Sequence, residues 1–268
     1  MRWGEKRYHS LDYELKQMFK EKVYKIALNG GMTCPNRDGH VGTGGCIFCS
    51  SQGSGDFAGS ARLSIAEQIR QGKADISSKR PVHSYIAYFQ AFTNTYAPVE
   101  TLRALYMEAI ADPEVKILSI ATRPDCLGAD VLALLDKINH IKPVWVELGL
   151  QTIHPETKDD MLDTIHYLNH MDIQGIKLQL LHVLTHTDLA ADYEKHPFYI
   201  PDMQDYIQFL GTCIAQLNPE IVIHRLTGDG PKDLLIAPLW TSNKRTVLNQ
   251  LHSHLKEQDI WQGKEYYV

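Results

Sequence analysis

The sequence predicts an α/β fold, a partial (β/α)6 barrel followed by a C-terminal strand–helix extension. Two observations carry that expectation. Short β-branched runs alternate with stretches whose apolar residues recur at helical spacing. Polar and chemically unusual residues gather directly after the runs, at Asn29-Gly30-Gly31, Gln90–Thr95, Thr122-Arg123-Pro124-Asp125 and Gln151-Thr152. In barrels and open α/β sheets that carboxyl-terminal rim is where ligands bind.

Taken in chain order, residues 22–28, 83–89, 115–121, 144–150, 176–184 and 221–226 are the expected strands. Between the third and fourth, Val131, Leu134, Leu135 and Ile138 fall at i, i+3, i+4 and i+7, the spacing of a helix with one apolar face. Residues 100–110, 160–170 and 203–217 read the same way. Parallel strands need crossover connections, so helices should cover the sheet on one or both sides. The expected organisation is an N-terminal segment at 1–21, a core at 22–186 and an extension at 187–268. The Gly- and Ser-rich residues 50–60 have no periodicity and read as a loop, either a plain linker or a lid.

At 268 residues the chain is long enough to bury one substantial core, and its 44% hydrophobic and 22% charged content is that of a globular domain rather than a disordered or fibrous one. No apolar run approaches the roughly 18–20 residues of a membrane span, and Met1-Arg2-Trp3-Gly4-Glu5-Lys6-Arg7 lacks a signal peptide's apolar stretch, so the expected location is the cytoplasm. A net charge of −5 excludes a globally basic nucleic-acid binder but permits a local patch. Lys6, Arg7, Lys20, Lys22 and Lys25 are its candidates, against the commoner fate of a solvated face.

Three of the five cysteines, Cys34, Cys46 and Cys49, form a C-x11-C-x2-C arrangement directly after the first strand. In a reduced compartment that tight spacing points to metal rather than disulfides, while Cys126 and Cys213 stand apart. Thiolates suit both zinc and iron–sulfur clusters. Zinc would need a fourth ligand, for which His40 is nearest; three thiolates instead leave one iron of a [4Fe–4S] cluster open. Phe48, just before the last cysteine, is either core or a shield between iron and water.

Tyr24-Lys25-Ile26-Ala27-Leu28-Asn29, Cys34-Pro35-Asn36-Arg37-Asp38-Gly39 and Ala87-Tyr88-Phe89-Gln90-Ala91-Phe92-Thr93-Asn94-Thr95-Tyr96 resemble segments of the YtqA/YhcC family of radical S-adenosylmethionine (SAM) proteins. The resemblance continues through Thr122-Arg123-Pro124-Asp125, Glu147-Leu148-Gly149-Leu150-Gln151-Thr152 and His224-Arg225-Leu226-Thr227-Gly228-Asp229-Gly230-Pro231-Lys232, spanning nearly the whole chain. The Thr122-Arg123-Pro124-Asp125 and Glu147-Leu148-Gly149-Leu150-Gln151 segments are also similar to those of Elp3 radical SAM proteins, which act on wobble uridines in tRNA. The resemblance implies a barrel of the radical SAM type, with a [4Fe–4S] cluster on Cys34, Cys46 and Cys49 and with SAM among the rim residues.

Those residues suit SAM chemically. Gln90, Thr93, Asn94 and Thr122 offer donors and acceptors to its amino and carboxylate groups. Arg123 can make charge-assisted bonds to a carboxylate, unless it pairs locally with Asp125. Glu147 and Gln151 lie on one side of a strand, in reach of ribose hydroxyls or the amino group, with Gly149 leaving room between them. Lys177 and Gln179 alternate with Leu178 and Leu180 on a late strand and are candidate substrate contacts, with His182 opposite by parity. Lys232, in a turn after the last strand, can meet a phosphate or carboxylate.

One departure from the family stands out. After His154-Pro155-Glu156-Thr157 the relatives continue with a further helix and strand, whereas here Lys158-Asp159-Asp160-Met161 opens the next helix at once. About one βα unit, on the order of 30–40 residues, is missing. Loss of a central strand exposes neighbouring backbone edges, so the expectation is that the sequence near Glu156–Asp160 joins two segments that further residues separate in the intact protein. The YtqA-like, MnmL-type branch implies tRNA wobble-uridine modification, from a carboxymethylaminomethyl towards an aminomethyl group, with flavodoxin or ferredoxin as electron donor. Two alternatives stay open: radical chemistry on a small metabolite or peptide, and a non-catalytic zinc or iron–sulfur binding module.

Overall fold

The computed structural model of the chain describes residues 2–51, 53, 57–78, 81–149, 157–228 and 230–266. The chain divides into two compact units, Glu21–Gln151 and Met1–Lys20 with Thr152–Val268. Helix α1 (Leu11–Phe19) opens the chain and belongs to the second of these.

The Glu21–Gln151 unit alternates strand and helix without exception: β1 (Tyr24–Leu28), α2 (Ile65–Ser77), β2 (Tyr85–Phe89), α3 (Val99–Ala111), β3 (Val115–Thr122), α4 (Ala129–Asn139) and β4 (Val144–Leu148). All three strand pairings are parallel and the spatial order is β1-β2-β3-β4, so each crossover moves one strand further in the same direction. The helices start where the sequence offers caps: Ser64 and Glu67 form a reciprocal capping box at the head of α2. In α4 the four apolar residues at helical spacing, Val131, Leu134, Leu135 and Ile138, are all buried.

Strand register sorts the side chains into two faces. Ile26, Leu28, Tyr85, Ala87, Phe89, Leu118 and Ile120 form one core with Ile65 and Ile69 of α2, Leu102 and Tyr106 of α3, and Leu134 and Ile138 of α4. Each large apolar side chain fully buried there contributes about 1.5–3 kcal/mol. The opposite face carries Lys25, Ala27, Ile86, Tyr88, Ser119, Ala121, Trp145 and Glu147 and receives no helix of its own unit. At the N-terminal end of the strands, Lys73 bridges Asp112 and Glu114 at 2.6 and 2.7 Å.

Helical cover thins out at β4. Val144 packs on the core, but Val146 and Leu148, which point the same way, are 38% and 51% exposed. A following helix would cover them in a continuing βα series. Residues 150–156 lie outside the described residues, and with them the end of the expected strand at 144–150 and the Glu156 side of the expected junction. From Thr157 the chain enters α5 (Lys158–Asn169) directly through a Thr157–Asp160 capping box.

The second unit contains, besides α1 and α5, β5 (Gly175–Lys177), β6 (Val183–Leu184), α6 (Asp188–Lys195), α7 (Met203–Gln216), β7 (Val222–Arg225), β8 (Leu235–Ala237) and α8 (Lys244–Glu257). Strands β5 and β7 pair in parallel, and β6 and β8 pair antiparallel. The core joins Ile207, Leu210 and Ile214 of α7 to Ile223, Leu226, Leu251 and Leu255. The N-terminal segment is tied down by the Ile223 amide donating to the His9 carbonyl at 2.7 Å, and Gln262 donates to both Asn218 and Ile221 carbonyls at 2.8 Å.

One expected element is corrected. Residues 176–184 do not form a single strand: β5 ends at Lys177 and β6 begins at Val183, each with a different partner strand. Lys177 therefore shares no strand face with Gln179, and the parity that set His182 opposite them does not apply. Continuous hydrophobicity alone does not show where a chain changes sheets.

Candidate functional site

The cysteine loop leaves the C-terminal end of β1 and is built on its own hydrogen bonds. Gln68 of α2, 3% exposed, clamps its start: Oε1 accepts from the Asn29 amide at 2.8 Å, and Nε2 donates to the Asn29 and Leu63 carbonyls at 3.0 and 3.1 Å. The Arg37 and Asp38 amides donate to the Cys34 carbonyl. The Gly45 amide donates to Asn36, and the Asn36 side-chain amide reaches Cys46 Sγ at 3.1 Å. Gly45 has φ +102°, a conformation suited to glycine, and a Cβ there would meet Arg37 Nε at 2.8 Å. Arg37 spans the loop, donating to the Ser50 carbonyl at 2.6 Å and lying 4.9 Å from the Phe92 ring centroid.

Cys34 is buried, and Cys46 and Cys49 are half-buried, as is Phe48. Burial pushes the Cys49 thiol up to about 11, the negative charges of Cys46 and Cys34 add to that, and Arg37 opposes it. The Cys49 thiol therefore lies within electrostatic reach of both other sulfurs. Among the described residues no group of three or more His, Cys, Asp or Glu side chains is drawn together as a preformed metal site. The donor set still fits a thiolate-bound cluster: three soft ligands on one loop, with an amide donor already aimed at one sulfur. His40, the candidate fourth zinc ligand, is exposed and faces the Tyr96 ring at 6.4 Å.

The rim residues lie in the loops that follow β2 and β3. Asn94 is 1% exposed, and its Nδ2 donates to the Ala91 and Ala121 carbonyls, both at 3.0 Å. Those two acceptors fix the amide's orientation, which leaves Asn94 Oδ1 as a buried acceptor without a partner among the described residues. Such an atom fits an N–H or O–H group of a bound ligand. Just before it, Ala91 and Phe92 hold positive φ values of 74° and 57°, strain of the kind concentrated at ligand sites. Thr93 is buried, Gln90 is half-buried, and Thr122 meets Thr95 at 2.5 Å. Arg123 is engaged locally: Nε and one terminal nitrogen bind Asp125 at 2.9 and 2.7 Å, and this bond, more than the nearby Cys34, holds the guanidinium in its charged form. A carboxylate ligand would have to compete with Asp125.

Glu147 projects from β4 on the helix-free face. Its Oε1 lies 2.7 Å from Lys25 Nζ and accepts from Ser119 Oγ at 2.8 Å, and Lys25 sits 4.4 Å from the Tyr88 ring centroid. Sequence reasoning placed Lys25 only in a surface patch and passed over Tyr88 and Ser119. The available signal was a lysine set between apolar Tyr24 and Ile26, on the alternate face of a strand. Gln151 lies outside the described residues. Lys177, Gln179 and Lys232 belong to the second unit, where Lys232 is exposed and Gln179 lies 3.5 Å from an Arg225 guanidinium nitrogen. Cys213 is core, its thiol pushed up to about 12 by burial.

A parallel βα series with a thiol-bearing loop at its rim is the setting of radical SAM-related proteins, and residues 173–257 match the family model described as the Radical_SAM C-terminal domain. The chain belongs to the YtqA/YhcC family. It is 40% identical to the protein YtqA of Bacillus subtilis over 97% of this chain and 93% of that protein, and 32% identical to YhcC of Escherichia coli K12 over 92% of each. The YtqA comparison runs over 299 positions, 31 more than the 268 residues of this chain, so at least that many have no counterpart here. Among solved structures, the archaeal Methanocaldococcus infernus Elp3 with an N-terminal deletion superposes with a TM-score of 0.60 at 11% identity. That match covers 90% of this chain and 64% of the Elp3 chain, and it shows a shared fold. No helix among the described residues is long and apolar enough to cross a membrane.

Proposed function

We propose that this chain is a radical SAM enzyme in which Cys34, Cys46 and Cys49 hold a [4Fe–4S] cluster and the neighbouring rim binds SAM. The observation that carries the reading is the loop itself: three thiols on one loop at the C-terminal end of β1, with Cys49 in electrostatic reach of Cys46 and Cys34 and Asn36 directed at Cys46 Sγ. The strand order β1-β2-β3-β4 with helices on one face supports a partial barrel, since a doubly wound sheet reverses its order and takes helices on both faces. In this reading residues 22–186 form the core and 187–268 the extension.

When bound, the cluster supplies the electron that breaks a carbon–sulfur bond of SAM, giving methionine and a 5′-deoxyadenosyl radical that abstracts hydrogen from the substrate. The chain's own residues bind and orient. Asn94 Oδ1 accepts from a cofactor donor, Thr93, Gln90 and Thr122 add polar contacts, and Phe48 screens the cluster from water. Glu147 and Gln151 take ribose hydroxyls or the amino group. Arg123 exchanges Asp125 for a carboxylate. Electrons come from a flavodoxin or ferredoxin.

The substrate we propose is tRNA bearing a modified wobble uridine, converted from the carboxymethylaminomethyl towards the aminomethyl form as in the MnmL-type branch, with Lys177, Gln179 and Lys232 among its contacts. Anaerobic reconstitution tests the chemistry: about four irons per chain and reductant-dependent 5′-deoxyadenosine support it. Incubation with bulk tRNA lacking the final modification tests the substrate, and unchanged wobble nucleosides with active SAM cleavage would move it to a small metabolite or peptide. The shortfall against YtqA favours a second reading, a non-catalytic binding module, which zinc uptake without SAM cleavage would establish.

A further inference from the structure

The helix-free face of the Glu21–Gln151 unit is layered by strand register. Glu147 stands level with Ala121 nearest the rim; Ala27, Tyr88, Ser119 and Trp145 form the next layer; Lys25 and Ile86 lie beneath. At about 3.3 Å per residue these layers are roughly 7 Å apart along the strands. Lys25 therefore rises from the lowest layer, passes the Tyr88 ring at 4.4 Å and meets Glu147 at the top at 2.7 Å. Among the described residues of that face Lys25 is the only cation. The lysine and glutamate side chains are 27% and 12% exposed, so the pair is shielded from most screening.

Met from below by the Lys25 ammonium at 2.7 Å and from the side by the Ser119 hydroxyl at 2.8 Å, the Glu147 carboxylate is directed by both contacts. We propose that Lys25 is a positioning residue that holds Glu147 in the orientation that binds SAM. The proposal rests on the radical SAM reading above and adds that Lys25 acts through Glu147 rather than by touching the cofactor.

The test is a double-mutant cycle on the anaerobically reconstituted full chain, read by calorimetric titration with SAM, with iron content and melting temperature measured in parallel. Lys25→Met and Glu147→Gln should each weaken SAM binding about 10-fold, the loss of one charge-assisted contact. The double variant should be no weaker than Glu147→Gln, and Lys25→Arg should recover most of the affinity. Iron content should stay at the wild-type level throughout. Lys25→Met binding within 2-fold of wild type, as a roughly stated limit on a contact worth keeping, would overturn the proposal even if it lowered the melting temperature. So would losses that multiply in the double variant, which would make Lys25 an independent contact. A wild-type protein that takes up iron but does not bind SAM, or takes up no iron, overturns the functional reading and this proposal with it.

Discussion

Lys25 Nζ and Glu147 Oε1 lie 2.7 Å apart although 122 residues separate them, joining the first and last strands of a four-stranded sheet across its two middle strands. Removing Lys25 takes a charge-assisted contact away from a glutamate side chain that is only 12% exposed. Lys25→Met should therefore lower stability by about 1 kcal/mol, because water still reaches the lysine. Urea denaturation with and without added salt checks this: the deficit should change little with salt, as expected for a shielded pair.

Gln68 makes three hydrogen bonds from within the core that fix Asn29 and Leu63 on either side of the cysteine loop. Gln68→Leu keeps the volume but strands one buried amide and two carbonyls. The expected cost is about 2–4 kcal/mol. Iron uptake on reconstitution should fall as well, since the loop loses its anchored start. Unchanged denaturation midpoints would remove Gln68 from the loop's support.

Serine substitution at Cys34, Cys46 or Cys49 should abolish the visible absorption of a reconstituted cluster, and the same change at Cys213 should leave it intact. Cys213 is packed in the second unit's core. Cys126 is a sharper control, because its thiol senses the charge of Cys34. Retention of iron in Cys126→Ser restricts the ligand set to the three loop thiols, and loss of iron there would enlarge it.

The Lys73–Asp112–Glu114 group sets the acid limb of stability. Burial draws the Asp112 carboxyl upward, but hydrogen bonds from Lys73 and the Glu114 amide, with the charges of Lys73 and Lys142, outweigh it and leave it below its ordinary 3.8. The Lys73 hydrogen bond likewise holds Glu114 below its ordinary 4.5. Folded values below unfolded ones mean the stabilisation is fully present above the ordinary values and is lost as pH falls through the folded ones. Lys73→Met should flatten the decline in stability below about pH 4.5 in a denaturation series.

Much of the alternation of strand and helix from residue 22 to 148 was legible because the elements state their own period, β-branched runs for the strands and Val131, Leu134, Leu135 and Ile138 for α4, although helix α2 was not among the expected elements. The cysteine loop was legible for a similar reason, since three thiols within sixteen residues are a local signal. Residues 176–184 misled for the opposite reason. Their hydrophobicity is continuous, yet Lys177 pairs beside Arg225 and Val183 opposite Ala237, a change of partner that no property of the segment announces. The Arg123–Asp125 pair was visible as an alternative, being only two residues long, but which carboxylate takes the guanidinium is a matter of geometry.

The sequence by itself determined the kinds of elements, the thiol-bearing loop and the polar rim, because these depend on neighbours within a turn or two of chain. Only the tertiary structure decided that Lys25 meets Glu147, that Asn94 keeps an unpartnered oxygen while its nitrogen spans two carbonyls, and that Val146 and Leu148 lie uncovered. Those outcomes depend on strand order, on which face each residue occupies and on what packs above it, and such distances are set by the sheet rather than by spacing along the chain.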